Sequence, residues 1–411
     1  MADRQVDFLL VGGGAASAAC AEALRAGGAD GSILLVGREP DPPYERPPAS
    51  KGYLRGESAR ADALLHPPEF WAEQGIELLT RTSAMKLDPA AREVRLSTKE
   101  TVGYGAALVA TGANVRRLRL DGGALEGIHH LRALGNADAL RADVEGVDEV
   151  VLVGGSYIAC EVAASLTAMG KRCTLVMEET LPLSRGFGET AGAWVAEMLR
   201  SRGVELVCGD PVERFAGEGR VSGVVTRSGR EVPAGAVVMG TGAVPDVMLA
   251  RAAGLELGET GGVACDACLR TSAPGVWAAG DVCEYDSVVH GRRVRIEHWE
   301  VARAQGRAAA RGMLGSPAPY DEIPYFWADL ADWATLEYVG PAERWDAEVV
   351  RGAPDEGAFS ILYLHEGRVV AALAVGRPED LDGARALIRA RTGVGGREAE
   401  LADPARPLAA A

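Results

Sequence analysis

A run of apolar residues breaks at Gly12-Gly13-Gly14, and a second run breaks the same way at Gly154-Gly155-Ser156, about 140 residues later. Turns of this kind between a strand and a helix can hold a pyrophosphate. The first glycine permits the tight turn, the second lets backbone amides approach the phosphates, and a small residue further on lets helix and strand pack closely. The phosphates then rest on the positive end of the helix. In the first copy these positions are Gly12, Gly14 and Ser17, with Ala15 and Ala16 opening the helix. In the second they are Gly154, Ser156 and Ala159, with Gly155, Tyr157 and Ile158 beside them. Neither copy is a complete GxGxxG, so the reading rests on the repeat and its context. Acids at the end of the following strand can bind ribose hydroxyls. The first copy ends Val36-Gly37-Arg38-Glu39 and the second Val176-Met177-Glu178-Glu179. A 2′-phosphate needs a cation, and none stands directly after the second strand. Glu178 and Glu179 therefore favour NADH, with NADPH less expected.

The elements that position these turns are legible in the hydrophobic pattern. Val6 and Phe8 to Val11 read as a strand buried on both faces. Ala15 to Arg25 reads as a helix ended by Gly27-Gly28, and residues 32–39 as a second strand. The same order returns with a strand at Val150 to Val153, a helix from Tyr157 to Met169 and a strand from Cys173 to Met177. Two short strands, 107–113 and 236–246, end in glycine turns that contain Ala110, Thr111, Gly112 and Gly242. A further strand ends in Ala-Gly-Asp281, and helical periodicity runs over 299–314. After Tyr320 the character changes. Three alternating strands and a helix between about 334 and 392 predict a small α+β domain, followed by a loose tail.

The composition excludes several classes. The 411 residues are 47% hydrophobic and 25% charged, as in globular proteins, and no apolar stretch approaches the roughly 20 residues of a membrane helix. The net charge of −15 argues against nucleic acid as a partner. The seven cysteines are odd in number and scattered through apolar segments, which suits reduced thiols and a cytoplasmic location. The N-terminus has no basic n-region, so no secretion signal is expected. Cys265 and Cys268 lie in an alternating segment that reads as a strand, where i and i+3 point to opposite faces. They read as structural. The scattered histidines predict no metal site.

At this point the residues carry a resemblance. PPYERPPASKGYLRGE (42–57), VWAAGDV, RIEHWEVARAQG (295–306) and PYFWADL (324–330) resemble ferredoxin reductases of oxygenase systems, the putidaredoxin and rhodocoxin reductase type, and more widely apoptosis-inducing-factor-like flavoproteins. The resemblance covers essentially the whole chain. It implies an α/β, glutathione-reductase-like architecture with two Rossmann-like domains. These are an FAD domain (1–118 and 244–320), an NAD domain (119–243) and a C-terminal α+β domain (321–411). It implies that hydride passes from NADH to flavin N5 and that single electrons then leave for a [2Fe–2S] ferredoxin.

The resemblance also implies residue roles. Arg46 and Lys51 would contact FAD, Lys51 near the N5–O4 edge. Glu161 would pair with Lys51 beneath the nicotinamide, and these two form the catalytic pair. Arg132 would touch the FAD pyrophosphate side. Asp281 would bind the ribityl chain, with helix N-terminal amides nearby. Glu297, His298 and Trp299 would lie by the flavin ring, with Glu297 on the NAD side, and Trp327 would approach from the C-terminal domain. Ala84, Ala110, Thr111 and Gly112 join the flavin set, and Gly242 the NAD set. Three departures stand out. Arg38 occupies a place where relatives often have an acid, so Glu39 takes that role. Ala49 replaces a Leu, and Ser156 replaces a Gly. The cysteine pair of disulfide reductases is absent, since no Cys occurs between Cys20 and Cys160. Two alternatives stay open: an NADH oxidase that reduces oxygen or a quinone, and an NADH-sensing redox protein. Monomer and homodimer are both compatible with the sequence.

Overall fold

Continuous Val, Leu and Ile runs form strands covered on both faces, and these make the centres of two parallel sheets. In the computed structural model, residues 2–340 and 342–408 are described. They form two units: residues up to 45 with 63–114 and 244–325, and residues 46–62 with 115–243 and 326 onward.

In the first unit, strand Arg4–Val11 lies at the centre, parallel to Ile33–Val36 on one side and Thr101–Val109 on the other. Val11 stands opposite both Val36 and Val109. Ile76–Leu79 extends one edge, and Val276–Ala278 runs parallel to Thr101–Val109. Helix Ala15–Ala26 packs on helix Trp299–Met313. A Cβ at Gly306 would fall 2.1 Å from the Ala16 carbonyl oxygen, so glycine lets the two backbones meet. The strand expected over 32–39 ends at Val36. Gly37 turns away there, its would-be Cβ 3.1 Å from the Gly13 Cα. The strand expected through Cys268 also stops early, at Cys265. The Asp266 carboxylate accepts from the backbone N–H of Cys268 (2.9 Å) and Arg270 (3.0 Å), closing a turn instead.

In the second unit, Glu205–Val207, Arg172–Val176, Glu149–Val153, Ala236–Met239 and Ile128–His129 form a parallel sheet in that order. Helix Tyr157–Ala168 follows its central strand. The C-terminal sheet has five strands, in the order Tyr325–Leu330, Ala334–Val339, Arg368–Val375, Ala358–His365 and Ala347–Ala353. Three of these follow the sequence pattern. Ala347–Ala353 is masked in sequence because its inward-facing residues include Arg351, which is 1% exposed. This sheet is fastened to helix Ser184–Ser201. The helix kinks at Gly188, with φ +79°, where a Cβ would lie 2.2 Å from Glu348 Oε1. Thr190 Oγ1 donates to Glu348 (2.6 Å), Tyr363 Oη to the Phe187 carbonyl (2.7 Å) and Trp194 Nε1 to the Pro354 carbonyl (2.9 Å).

Arg351 holds the chain's last described residues. It donates to the carbonyls of Leu401, Asp403 and Arg406 and to Asp380 at 3.1 Å. Burial would raise the Asp380 carboxyl, but Arg377, Arg351 and Ser360 outweigh that and hold it below the usual range. Among the described residues no helix is long and apolar enough to cross a membrane, and no group of acidic, His or Cys side chains is placed to hold a metal.

Replacing Arg351 by Met should cost about 3 kcal/mol in urea unfolding, because it breaks a buried pair from one side. It should also speed tryptic cleavage at Arg397. The Asp380 contribution is present above the unfolded carboxyl pKa and is lost as pH falls through its depressed folded value. The penalty of the substitution should therefore shrink in acid. An equal penalty at pH 7 and in strong acid would contradict this account.

Candidate functional site

The first glycine turn is built by contact. Gly12 has φ +124°, and a Cβ there would sit 2.1 Å from the Ala110 carbonyl oxygen, so no side chain fits. Gly14 caps helix Ala15–Ala26 in extended conformation, and a Cβ there would meet nothing within 4 Å. That leaves open room in front of the helix amides. Ala15 and Ala16 are buried in the first helical turn, and Ser17 is fully buried. The Glu39 carboxylate follows the second strand and accepts from Tyr44 Oη at 2.5 Å. Arg38 is engaged elsewhere, by Asp246 (2.9 Å) and Asn114 (2.8 Å). Thr111 Oγ1 donates to the Asp246 carbonyl at 2.6 Å, and Gly112 adopts φ +69°.

The second turn repeats the construction. Gly154 has φ +103°, with a would-be Cβ 2.5 Å from the Gly240 carbonyl oxygen. Ser156 differs from Gly14: its hydroxyl donates to the Gly240 carbonyl (2.7 Å) and accepts from the Ala159 amide (3.4 Å). It caps the helix in the usual manner of serine. Ile158 remains 37% exposed in the first turn, and the Tyr157 ring packs 4.5 Å from Phe326. Gly155 faces Glu179, whose Oε2 would lie 3.3 Å from a Cβ there. The chain also supplies a cation that local sequence does not show. Arg185, from the next helix, contacts Glu178 at 3.1 Å and Glu179 at 2.8 Å. Gly242, at φ +87°, has open space around it, and its carbonyl accepts from the Arg116 amide at 2.9 Å.

The most unusual electrostatics are at Glu161. It lies on the inner face of helix Tyr157–Ala168 and is 4% exposed. Lys51 Nζ donates to its Oε1, and Ser50 Oγ to its Oε2 at 2.6 Å. Burial raises the Glu161 carboxyl; Lys51 and Ser50 oppose the rise, and the charge of Asp329 adds to it. Ser165 Oγ donates to the Ser50 carbonyl (2.7 Å), so the loop bearing Lys51 is tied to the helix bearing Glu161. Arg46 donates to the Arg132 carbonyl at 2.6 Å. Sequence reading does not single out Asp329, Ser50 or Arg185, although Asp329 stands inside the PYFWADL segment.

In the first unit, Asp281 lies in a turn that leads into strand Cys283–Ser287, not into a helix. The preceding Gly280 lies against the first turn of helix Ala15–Ala26, where a Cβ on it would fall 3.4 Å from the Ala16 Cβ. The Gly280 amide donates to Gln305 Oε1 at 2.8 Å. His298 is the N-cap of helix Trp299–Met313, and desolvation pushes its pKa down to about 4, so its ring is neutral at pH 7. Glu297 is exposed and pairs with Arg295 at 2.5 Å. Trp299 packs against the first-unit core. Ala84 and Trp327 are half-buried.

The chain belongs to the pyridine nucleotide-disulphide oxidoreductase family, whose model matches residues 6–306, and a reductase C-terminal model matches residues 325–411. It is an oxidoreductase of that family. It is 37% identical to the 5,5′-dehydrodivanillate O-demethylase ferredoxin reductase subunit of Sphingobium sp. (strain NBRC 103272 / SYK-6), over 93% of each chain. It is 32% identical to rhodocoxin reductase of Rhodococcus erythropolis, over 93% of this chain and 89% of that protein. The structure of the ferredoxin reductase for the CYP199A2 system from Rhodopseudomonas palustris matches with a TM-score of 0.92 and 31% identity, covering 97% of both chains. The putidaredoxin reductase in its covalent complex with putidaredoxin matches with a TM-score of 0.89 and 30% identity, covering 98% of this chain and 99% of that one.

The raised carboxyl of Glu161 has a consequence for stability. Its folded pKa lies above the unfolded value of about 4.3, so ionising it costs stability as pH rises through that window. Relative to Glu161→Gln, the native protein should be more stable at pH 4 than at pH 7. Urea unfolding at both values measures this, and an unchanged difference would contradict the burial argument.

Proposed function

We propose that this chain is an FAD-dependent NAD(P)H:ferredoxin reductase that serves an oxygenase or P450 system, with NADH its preferred donor and a [2Fe–2S] ferredoxin its acceptor. The observation that carries this reading is the buried Lys51–Glu161 pair beside the second glycine turn, in a chain whose relatives are named ferredoxin reductases. Those names disfavour the oxidase and sensor alternatives.

The first unit fits FAD. Gly14 leaves room before the helix amides, and among the described residues the buried Ser17 Oγ and Gln305 Nε2 have no hydrogen-bond partner. Gly12, Gly14, Ala15 and Ala16 would hold the pyrophosphate, Glu39 the ribose and Asp281 the ribityl chain. Ala84, Ala110, Thr111, Gly112, His298 and Trp299 would line the site, and the resemblance assigns FAD contacts to Arg46, Arg132 and Trp327 as well. FAD, when bound, accepts hydride from NAD(P)H and releases electrons one at a time, chemistry that belongs to the cofactor. Residues 1–118 and 244–320 would form the flavin domain, 119–243 the nicotinamide domain and 321–411 the C-terminal domain.

The nicotinamide dinucleotide would lie along Gly154, Gly155, Ser156, Tyr157 and Ile158, and the resemblance assigns NAD contacts to Gly242 and Glu297 as well. Glu178 and Glu179 would take the adenosine ribose hydroxyls. Arg185 does not reverse the preference for NADH, because its charge is already met by both carboxylates. Lys51 supplies a fixed positive charge, and Glu161 keeps its ammonium in place. The neutral His298 adds no charge.

An anaerobic titration with NADH, followed by mixing with an oxidised [2Fe–2S] ferredoxin, tests the reading. Flavin bands should bleach and then return rapidly on mixing. A bleached species that the ferredoxin cannot discharge would favour the alternatives, and absence of any flavin band after reconstitution with FAD would sink the proposal.

Net charge −15 would repel an acidic ferredoxin, so a local basic face is needed. The cluster at Arg292–Arg295 is partly engaged, with Arg293 on Asp286 and Arg295 on Glu297. Arg116, Arg117 and Arg119 are exposed around a half-exposed Leu118. Replacing Arg116 and Arg117 by Glu should slow ferredoxin reduction about tenfold at low salt and leave ferricyanide reduction unchanged. Equal loss of both rates would exclude docking there.

A further inference from the structure

Lys51 has a second carboxylate within reach. Asp329, on strand Tyr325–Leu330, places Oδ2 3.8 Å from Lys51 Nζ. Its Oδ1 accepts from Thr335 Oγ1 at 2.7 Å, which fixes the carboxylate's orientation. Lys51 therefore stands between two acids carried by different elements. Glu161 comes from a helix of the parallel-sheet fold, and Asp329 comes from the C-terminal sheet.

Such a lysine needs outside anchors. It sits at the junction of a 3-10 turn, Pro47–Ser50, and a one-turn helix, Gly52–Arg55. Neither element is long enough to hold a flexible four-carbon side chain in one place. Glu161 has both oxygens occupied, by Lys51 and Ser50. The other cation nearby is Arg55, which is bidentate on Glu57 and donates to Ser165. Its charge feels both Asp332 and Asp329, but its own hydrogen bonds go elsewhere. Lys51 is thus the cation that Asp329 can share.

We propose that Asp329 is a positioning residue: it holds the Lys51 ammonium from a second element, so that the lysine stays charged and ordered whatever Glu161 is doing. This rests on the reading that Lys51 serves the flavin. It makes the C-terminal sheet part of the site.

The chain has four lysines, Lys51, Lys86, Lys99 and Lys171, so each can be followed by peptide mass. Acylation by acetic anhydride requires the neutral amine, and a neighbouring carboxylate keeps the amine protonated. In flavin-loaded Asp329→Asn, acylation of Lys51 should speed up about fivefold, with the other three lysines as unchanged controls. At saturating NADH, anaerobic flavin bleaching should slow about tenfold, with the half-saturating NADH concentration within twofold of the native value. Asp329→Glu should restore most of both. An unchanged Lys51 acylation rate in Asp329→Asn, or an equal loss of NADH binding and bleaching, would overturn the proposal. Lys51→Met separates the two claims. If it bleaches as fast as the native protein, the reading of Lys51 falls. If it is slow while Asp329→Asn behaves as native, Asp329 alone is excluded.

Discussion

A carboxylate removed from water must find compensation, and the carboxylate of Glu161 organises much of the second unit. Leaving a charge unpaired in the interior costs several kcal/mol. Here the cost is offset by Lys51 and Ser50, both from the segment 46–62. That segment is far in sequence from helix Tyr157–Ala168. It is bound to the second unit by further polar contacts, from Tyr53 and Arg60 to Asp138 and from Arg55 to Ser165. The chain leaves the first unit at 45 and returns at 63. The excursion delivers one cation to one buried anion. The same pair gives the proposed chemistry its charge.

The two glycine turns obey one steric rule and then diverge. In both, a strand-end carbonyl occupies the place where a side chain would begin, Ala110 in one and Gly240 in the other. That explains why the first glycine recurs. The second position is free to differ. Gly14 leaves empty space, whereas Ser156 bonds back to the Gly240 carbonyl and caps its own helix. The departure from the expected glycine keeps the helix terminus satisfied without closing the turn. The name of the family includes a disulphide, yet the chain has no cysteine between Cys20 and Cys160. The described cysteines are free, and most are buried. The electron path proposed here uses no thiol.

The C-terminal sheet owes its place to small and aromatic residues on helix Ser184–Ser201. Gly188 yields room to Glu348, and the Phe187 carbonyl receives Tyr363. These contacts fix the sheet whose first strand carries Trp327 and Asp329. A domain that sequence reading treats as separate therefore contributes directly to the surroundings of Lys51.

What the sequence determined by itself was local. Glycine turns, buried strands and the helices after them follow from periodicity and from the conformational freedom of single residues, so the repeated βαβ unit is legible without coordinates. The burial of Glu161 is also legible, from Ala159, Cys160, Val162 and Ala163 around it. The extent of the strands was less so, because Gly37 and Asp266 end them by contacts with distant or backbone partners. Strand Ala347–Ala353 was hidden by Arg351, a charge that is tolerated inside only because Asp380 and three carbonyls surround it. The partners of charged groups were decided by tertiary structure alone. Arg185 reaches Glu178 and Glu179 from a following helix, and Asp329 reaches Lys51 across more than half the chain. Coulomb attraction acts through space and leaves no period in the sequence, so those pairings appear only once the backbone has folded.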